Sequence, residues 1–389
     1  MSARRIVWAL AAVVVAIALA TYALAPYARS AALVADLAGV DAWWRQVLPV
    51  RPRPVATRDL LIPTRHGPIS SRVYEPDAAP LGSLVVYPGI HAGGVDEPRL
   101  VSFARRLAGG GVRVVTVPLP DLRVYRITTD STDAIEETAL WVANDPQLAP
   151  GGLVGLVGVS FAGGLTLVAA GRPALQNRLS LVISLGGHAD LPRVMTYLCT
   201  GRLPDDTTRP PHDYGVVVVL LASLTRLVPA DQVAPLERAI LTFLDASSYA
   251  GVDPARSAQL LADTRRQHDA LPEPSHTLMT QVLARDARAV GQRILPFVED
   301  LGGAPALSPI RSAATTAPVF LLHGRDDNVI PSTETPFVAA YLQARGNTRV
   351  HWLLTPLISH ADLSRELKLS DAWQLVRFWT DITETLERR

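Results

Sequence analysis

One serine of the sequence stands in a setting that could make it a nucleophile. Residues 158–163 read Gly-Val-Ser-Phe-Ala-Gly and lie where a predicted buried strand turns directly into a predicted helix. Such a turn is tight, so the residues two before and two after the serine must be small, and Gly158 and Ala162 meet this demand. The turn would present the Ser160 hydroxyl clear of the sheet, beside a helix N-terminus. Gly and Ser also populate ordinary turns, so the motif alone leaves that alternative open.

A serine hydroxyl needs a base within hydrogen-bond reach and a carboxylate to orient that base. Downstream of Ser160, the chain offers Asp327 after one predicted strand and His360 after the last one. The neighbouring Asp326 is the competing carboxylate. Both aspartates could instead be turn formers, and His360 could be a loop histidine without a partner.

The residues around Asp327 carry a resemblance to a known family. Residues 323–327, His-Gly-Arg-Asp-Asp, resemble the H-G-x-x-D pattern of the α/β-hydrolase superfamily, and the order Ser, Asp, His is the one this fold uses. The chain is similar to its serine esterase and lipase-like members, with a dienelactone-hydrolase-like core. The resemblance implies a mostly parallel eight-stranded sheet flanked by helices, with Ser160, Asp327 and His360 as the triad. Two positions depart from the pattern, with Ala162 and Ser359 where the family has glycine.

Oxyanion stabilisation needs backbone N–H groups aimed at the developing charge. The residue after the nucleophile, Phe161, offers one. Residues 87–94, Tyr-Pro-Gly-Ile-His-Ala-Gly-Gly, resemble the family's oxyanion loop, which implies the amide of Ile90 as the second donor. A simple glycine-rich turn is the alternative. We expect His91 and His188 to lie near the mouth of the site, and we expect neither to contact substrate.

Elsewhere, short apolar strands alternate with amphipathic helices, as in a parallel sheet covered on both faces. An antiparallel pair opens the series, and the predicted elements are strands 60–63, 69–74, 84–87, 112–117, 153–157, 179–185, 319–322 and 349–354, with helices from Asp96 or Pro98, from Asp133, over 161–171 and over 370–386.

This rhythm breaks between Asp190 and Ser312, where helical periodicity and proline joints, including Pro235, predict an inserted helical cap. We divide the chain into an N-terminal segment, a juxtamembrane helix and linker, two parts of a hydrolase core and the cap between them, at residues 1–25, 26–55, 56–190, 191–315 and 316–389. Within the cap, residues 216–222 are too short to span a bilayer, and packing is favoured over an apolar face toward lipid or substrate. Cys199 is expected to be a buried apolar residue.

The N-terminus carries a membrane signal. Arg4 and Arg5 precede a nearly unbroken apolar stretch from Ile6 to Ala25, which has the length of a transmembrane helix. A single-pass anchor with the catalytic domain outside the cytoplasm is the first interpretation. The alternative is a cleaved signal peptide and a secreted protein, because residues 18–20, Ala-Leu-Ala, fit a cleavage site. Residues 31–48, with Trp43 and Trp44, have helical spacing and could rest at the membrane interface or pack on the core, and packing on the core is favoured.

Composition excludes some classes of partner. The chain has 37 basic and 36 acidic residues and a net charge of +1, so no broad positive field favours nucleic acid. A single cysteine and the lack of an H-E-x-x-H motif give no recognisable ligand cluster, and we expect neither metal nor cofactor.

These observations predict a membrane-associated serine hydrolase that cleaves a small carboxylic ester, with a lipophilic acyl substrate as the favoured class. The same triad could serve a peptidase, an amidase or an acyltransferase. A membrane-tethered binding protein that keeps the fold without turnover is the alternative of another class.

Overall fold

The computed structural model describes residues 23–37, 52–251, 253–358 and 368–388. Three predictions fall outside these ranges: the membrane span as far as residue 22, the pair Trp43 and Trp44, and the base His360. Within the ranges, no helix combines the length and the apolar character that crossing a bilayer requires.

Eight strands of the described residues form one sheet, in the order β1-β2-β4-β3-β5-β6-β7-β8. Their bounds are β1 (Val55–Ile62), β2 (Ile69–Pro76), β3 (Ser83–Tyr87), β4 (Arg113–Thr116), β5 (Val154–Val159), β6 (Leu179–Leu185), β7 (Val319–Gly324) and β8 (Val350–Thr355). Strand β2 runs antiparallel to β1 and to β4, and the remaining neighbours are parallel. The predicted opening pair and the mostly parallel eight-stranded sheet are both confirmed.

The central strands are apolar on both faces, because helices cover the sheet from both sides. All five residues of β3 are buried. Val85 packs into the core cluster of one face, and its neighbour Val86 packs into that of the other, as the alternation of a strand requires. Packing leaves no room for a side chain at Gly155 of β5, where an added Cβ would lie 2.4 Å from Leu84 Cδ2.

Fourteen helices surround the sheet in the described part of the chain. They are α1 (23–37), α2 (Pro98–Gly109), α3 (Pro120–Arg123), α4 (Thr129–Asn144), α5 (Phe161–Ala170), α6 (Leu191–Thr200), α7 (Asp213–Leu227), α8 (Ala230–Tyr249), α9 (Pro254–Asp269), α10 (Ser275–Leu283), α11 (Ala287–Ile294), α12 (Val298–Gly302), α13 (Glu334–Ala344) and α14 (Leu369–Glu387). The core of one face takes residues from α1, α2 and α14, and that of the other from α4, α5, α13 and the insertion.

Helix α1 is fixed to the last helix of the chain. The rings of Tyr27 and Trp373 stack with their centroids 5.6 Å apart, and Arg29 Nη1 lies 2.8 Å from Glu387 Oε1. Leu33 of α1 is buried in the core cluster that α2 and α14 share. Residues 31–37, the start of the segment that we expect to pack on the core, therefore pack on it.

The insertion between β6 and β7 contains α6 to α12. Its role as a cap stays a prediction. Residues 216–221 of α7 are buried, so this apolar run packs inside the protein rather than facing lipid. Cys199 is buried as well, and burial raises the pKa of its thiol to about 12. The thiol is therefore protonated and unreactive at neutral pH.

Two local predictions are wrong, the start of α4 and the position of Pro235. Helix α4 begins at Thr129 rather than at Asp133. The predicted start of α2 at Pro98 is confirmed: Glu97 caps the helix, its carboxylate accepts the N–H of Leu100, and Asp96 ends a short 3-10 turn before it. Pro235 lies inside α8 instead of at a joint. Its ring removes one N–H from the helix, and packing of buried neighbours such as Leu236 compensates for that loss.

Candidate active site

Ser160 occupies the turn between β5 and α5 in a strained conformation. Its backbone has φ 57° and ψ −130°, a region that residues with a side chain rarely adopt. The Ser160 N–H donates to the carbonyl of Leu185 at 2.7 Å, and its own carbonyl accepts from the N–H of Gly163 at 2.8 Å. The hydrogen bonds thus hold a conformation that isolated serine avoids, as the nucleophile-elbow prediction requires.

The small residues around Ser160 are sterically necessary. A Cβ added at Gly158 would lie 2.4 Å from the Ala162 carbonyl oxygen and 2.5 Å from Thr166 Oγ1. A Cβ added at Gly163 would lie 2.6 Å from Ser184 Oγ. Ala162 itself is fully buried, so its methyl group fits where the family pattern has glycine.

We predict that Gly158→Ala lowers the free energy of unfolding by about 3 kcal/mol, because the new methyl group overlaps a backbone carbonyl that cannot move without shifting α5. Chemical denaturation measures the change. Gly151→Ala is the matched control, since nothing lies within 4 Å of an added Cβ there. Equal stabilities of the two variants would contradict the prediction.

The loop after β3 lies directly against Ser160. A Cβ added at Gly89 would lie 3.0 Å from Ser160 Cβ and 3.2 Å from the Val159 carbonyl oxygen. Ile90, the predicted oxyanion donor, follows at once and packs partly buried against the core. Phe161, the other predicted donor, is the first residue of α5, where N–H groups have no partner within the helix. Phe161 therefore adjoins Ser160 in the chain, and Ile90 directly follows the glycine that lies against Ser160.

His188 is not at the mouth of the site, so its predicted position is wrong. Its side chain is fully buried, and its ring lies against α5, where a Cβ added at Gly164 would meet it at 2.3 Å. The ring centroid lies 5.9 Å from that of Phe161, and Nε2 lies 2.7 Å from the Leu307 carbonyl oxygen. His188 thus supports the start of α5 from behind, and burial lowers the pKa of the imidazole.

We predict that this buried ring makes the protein less stable in acid. Because the folded-state pKa of His188 lies below its ordinary value of 6.5, the unfolded chain binds a proton there that the folded chain excludes. Its contribution to stability is thus present above pH 6.5 and is lost as the pH falls. Thermal unfolding of the protein and of His188→Gln between about pH 7 and pH 5 should show a smaller decline for the variant. Parallel declines would refute the assignment.

The acidic residue lies at the same edge of the sheet. Asp327 follows β7, and its side chain is buried, whereas Asp326 is exposed. Asp327 Oδ1 accepts the N–H groups of Val329 at 2.8 Å and Ile330 at 3.0 Å. Burial and these bonds distinguish Asp327, the predicted catalytic carboxylate, from its exposed neighbour.

The end of β6 lies between Ser160 and Asp327. Ser160 is bonded to the carbonyl of Leu185, and the next residue, Gly186, is so close to the acid that an added Cβ would lie 3.6 Å from Asp327 Oδ2. The carboxyl ends of parallel strands meet at one edge, which is why residues 167 positions apart in the sequence come together. His360 lies outside the described residues; the chain is described as far as Ile358, after β8.

His323 is a neighbour of the acid that the sequence did not single out as functional. It lies in β7 with its ring buried, and its Nδ1 lies 2.8 Å from Thr335 Oγ1. Its Nε2 lies 2.9 Å from the Ile330 carbonyl oxygen and 3.5 Å from Asp327 Oδ2. The first residue of the H-G-x-x-D pattern therefore braces the loop that carries its last residue.

A second carboxylate, Glu334 at the start of α13, ties this region to the insertion. Glu334 is buried, and its Oε2 accepts the N–H groups of Ala189 at 2.8 Å and Asp190 at 3.0 Å. Arg193 of α6 donates to both carboxylate oxygens, at 2.7 and 3.0 Å. No local pattern could have predicted this network, because its members are about 140 residues apart.

We predict that Glu334→Ala lowers the free energy of unfolding by about 3 to 5 kcal/mol, because it leaves a partly buried arginine and two buried N–H groups without their acceptor. Glu299→Ala is the control, since that carboxylate also pairs with an arginine, Arg311, but is largely exposed, and we expect a loss of at most about 1 kcal/mol. Urea titrations measure the free energy of unfolding of both variants. Similar losses in the two would argue against a stabilising role of the Glu334 network.

The cap meets the core near the predicted oxyanion loop. The hydroxyl of Tyr125, a residue with φ 60°, donates to Asp245 Oδ1 of α8 at 3.3 Å. Burial raises the pKa of the Asp245 carboxyl and lowers the pKa of the His91 imidazole. His91 accepts the N–H of Gly93 at its Nδ1, 2.9 Å away, so it stays in the loop that begins beside Ser160.

Among the residues that the structure describes, one group has ligand atoms close enough to share a metal ion: His66, Asp130 and Asp133, all within 4.8 Å of one another. Asp133 already pairs with two arginines, Arg172 at 2.7 Å and Arg65 at 3.5 Å. These cations balance its charge, so the group needs no ion to be stable.

Comparison with models of protein families finds none that matches this chain. Comparison with curated proteins finds no relative. Several solved structures are similar in fold. A proposed hydrolase from Legionella pneumophila superposes with a TM-score of 0.50 at 12% identity, over 87% of this chain and 91% of that one.

Two other structures are named as esterases. An esterase from Pyrobaculum calidifontis gives a TM-score of 0.49 at 18% identity, over 93% of this chain and 90% of that one. A thermophilic carboxylesterase cloned from a metagenomic library gives 0.46 at 17% identity, over 86% and 90%. At such identities, likeness to a solved structure establishes a shared fold and no more.

Proposed function

We propose that this chain, which has the α/β-hydrolase fold, is a serine hydrolase that cleaves carboxylic esters. The observation that carries the proposal is the strained turn of Ser160 between β5 and α5, with the loop after β3 lying against it. Backbone strain of this kind persists where the surrounding structure enforces it, and it is common at active sites. The buried Asp327 at the same sheet edge completes the part of the site that the structure describes.

In the proposed mechanism, Ser160 Oγ attacks the ester carbonyl while His360 accepts its proton, and Asp327 orients and stabilises the resulting imidazolium. The amides of Phe161 and Ile90 donate to the oxyanion. The C–O bond to the alcohol then breaks, His360 passes the proton to the leaving alkoxide, and an acyl-serine remains. Water attacks this acyl group by the reverse proton path, which releases the acid and restores Ser160.

We propose esters as the substrate class. A lipophilic acyl group is the favoured kind, because the apolar stretch from Ile6 to Ala25 would hold the site beside a membrane. Hydrolysis of aryl esters of graded acyl length, compared with aminoacyl amides, tests the substrate class. We expect turnover of the esters, with preference for the longer acyl chains. Turnover of the amides alone would refute the ester proposal.

We also propose a single-pass membrane tether with the catalytic domain outside the cytoplasm. The apolar stretch from Ile6 to Ala25 after two arginines supports it. Its last residues, Ala23 to Ala25, are exposed at the start of α1, and α1 packs on the core, so a tether would lead straight to the catalytic domain. Cell fractionation with mass measurement tests this, and a soluble mature protein that begins near Thr21 would overturn it.

A further inference from the structure

The loop that carries Asp327 is bound by the insertion as well as by the core. We call residues 325–328 the acid loop. The Asn328 carbonyl accepts the main-chain N–H of His212 at 2.8 Å and the Tyr197 hydroxyl at 3.2 Å. Arg209 Nη1 donates to the carbonyls of Asp327 at 3.2 Å and Arg325 at 3.4 Å. Three groups of the insertion therefore reach main-chain oxygens on both sides of the catalytic carboxylate.

Besides the bonds to the Asp327 side chain, the core binds the main chain of the acid loop mainly at its first residue. The Arg325 N–H donates to the Thr355 carbonyl at 2.9 Å, and the Ser332 hydroxyl donates to the Arg325 carbonyl at 2.9 Å. The Asp327 N–H makes a longer bond, 3.3 Å, to the Gly324 carbonyl. Because the insertion supplies donors to the carbonyls at 327 and 328, it restrains the half of the loop that sets the direction of the Asp327 side chain.

The donors of the insertion are themselves well held. Tyr197 of α6 is buried, and burial raises the pKa of its hydroxyl to about 12, so it stays protonated as a donor. The Arg209 N–H donates to the Gly201 carbonyl at 2.8 Å. Gly201 has φ 71°, and an added Cβ would lie 3.0 Å from the Arg209 carbonyl oxygen, so this close approach needs glycine. His212 caps α7 through its side chain, which accepts the Tyr214 N–H.

We propose that Arg209 is a positioning residue of the active site: with Tyr197 and the His212 N–H, it fixes the acid loop and thereby the direction of the Asp327 carboxylate. The insertion then completes the catalytic machinery besides covering it. This inference rests on the proposed serine hydrolase function. Orientation of a catalytic group within a fraction of an ångström can be worth about a hundredfold in rate, which is the size of effect that such an anchor can have.

The test uses the full chain and an aryl ester that it turns over. We expect Arg209→Met to lower kcat about tenfold to a hundredfold with KM changed by less than about twofold, and Arg209→Lys to restore part of kcat. Arg202→Met is the matched control, because Arg202 is an exposed arginine of the same segment that makes no described bond to the acid loop. Unchanged kcat in Arg209→Met, or equal losses in the two methionine variants, would overturn the inference.

A double-mutant cycle separates positioning from general damage. Asp327→Asn keeps the Oδ1 acceptor for Val329 and Ile330 but removes the charge that is being positioned. In the Asp327→Asn background we expect Arg209→Met to lower kcat by less than about a further twofold. If Arg209→Met damaged the protein independently of Asp327, the double variant would instead show the product of the two single losses in kcat. Tyr197→Phe provides a second, milder variant with the same expected pattern. A wild-type chain without Ser160-dependent turnover would refute the proposed function instead, so the two failures are distinguishable.

Discussion

Replacement of Ser160 by alanine is expected to lower kcat/KM for an aryl ester by a thousandfold or more, on the order of 4 kcal/mol of transition-state stabilisation. The variant removes the nucleophilic oxygen and leaves the hydrogen bonds of the turn, Ser160 N–H to Leu185 and Gly163 N–H to residue 160, because both use the backbone. Steady-state kinetics measure the loss.

The fold should survive this change. We expect the free energy of unfolding to move by no more than about 1 kcal/mol, so that lost activity reflects lost chemistry. Ser70→Ala is the matched control, since Ser70 is exposed on β2, away from the elbow, and should leave both activity and stability unchanged. Substantial turnover by Ser160→Ala would mean that another group attacks the ester, and the assignment of the nucleophile would be wrong.

Asp327→Asn is expected to lower kcat/KM by about 10³-fold to 10⁴-fold, because an amide cannot stabilise the imidazolium and turns a donor toward the base. Asparagine still accepts the N–H groups of Val329 and Ile330, so the turn should hold. The loss should appear mainly in kcat.

The neighbouring aspartate supplies the control for this second experiment. Asp326 is exposed, and Asp326→Asn should retain activity within about twofold. If Asp326→Asn lost activity and Asp327→Asn kept it, the catalytic carboxylate would be that of Asp326, and the assignment of Asp327 would be wrong. If neither variant lost activity, no aspartate of this loop would take part in catalysis, and the proposed triad would be wrong.

Much of the core was predictable because its strands and turns depend on local sequence. Largely apolar runs predicted strands such as β6, whose predicted bounds, Leu179 to Leu185, match the structure. The elbow was predictable because steric demand in a tight turn leaves a visible pattern of small residues. Asp327 was chosen over Asp326 from the family pattern, and burial supports that choice.

The errors arose where distant packing outweighs local preference. Helix α4 starts four residues before its predicted cap, because Ser131 and Thr132 are buried and extend its packed face. No local sequence pattern indicates that His188 is buried. It is buried because Gly164 of α5 leaves room for its ring. The contacts of Glu334 and Arg209 join segments more than 100 residues apart, and single-sequence patterns do not report such pairs.

The central claim is that Ser160 carries the acyl group during turnover. Incubation of the full chain with a fluorophosphonate, followed by peptide mass spectrometry, tests it most directly, because such probes react with an activated serine. The account predicts one adduct, on the peptide that contains Ser160, and none in Ser160→Ala. Ester turnover by a chain that is not labelled at Ser160, or labelling that persists in the alanine variant, would contradict it.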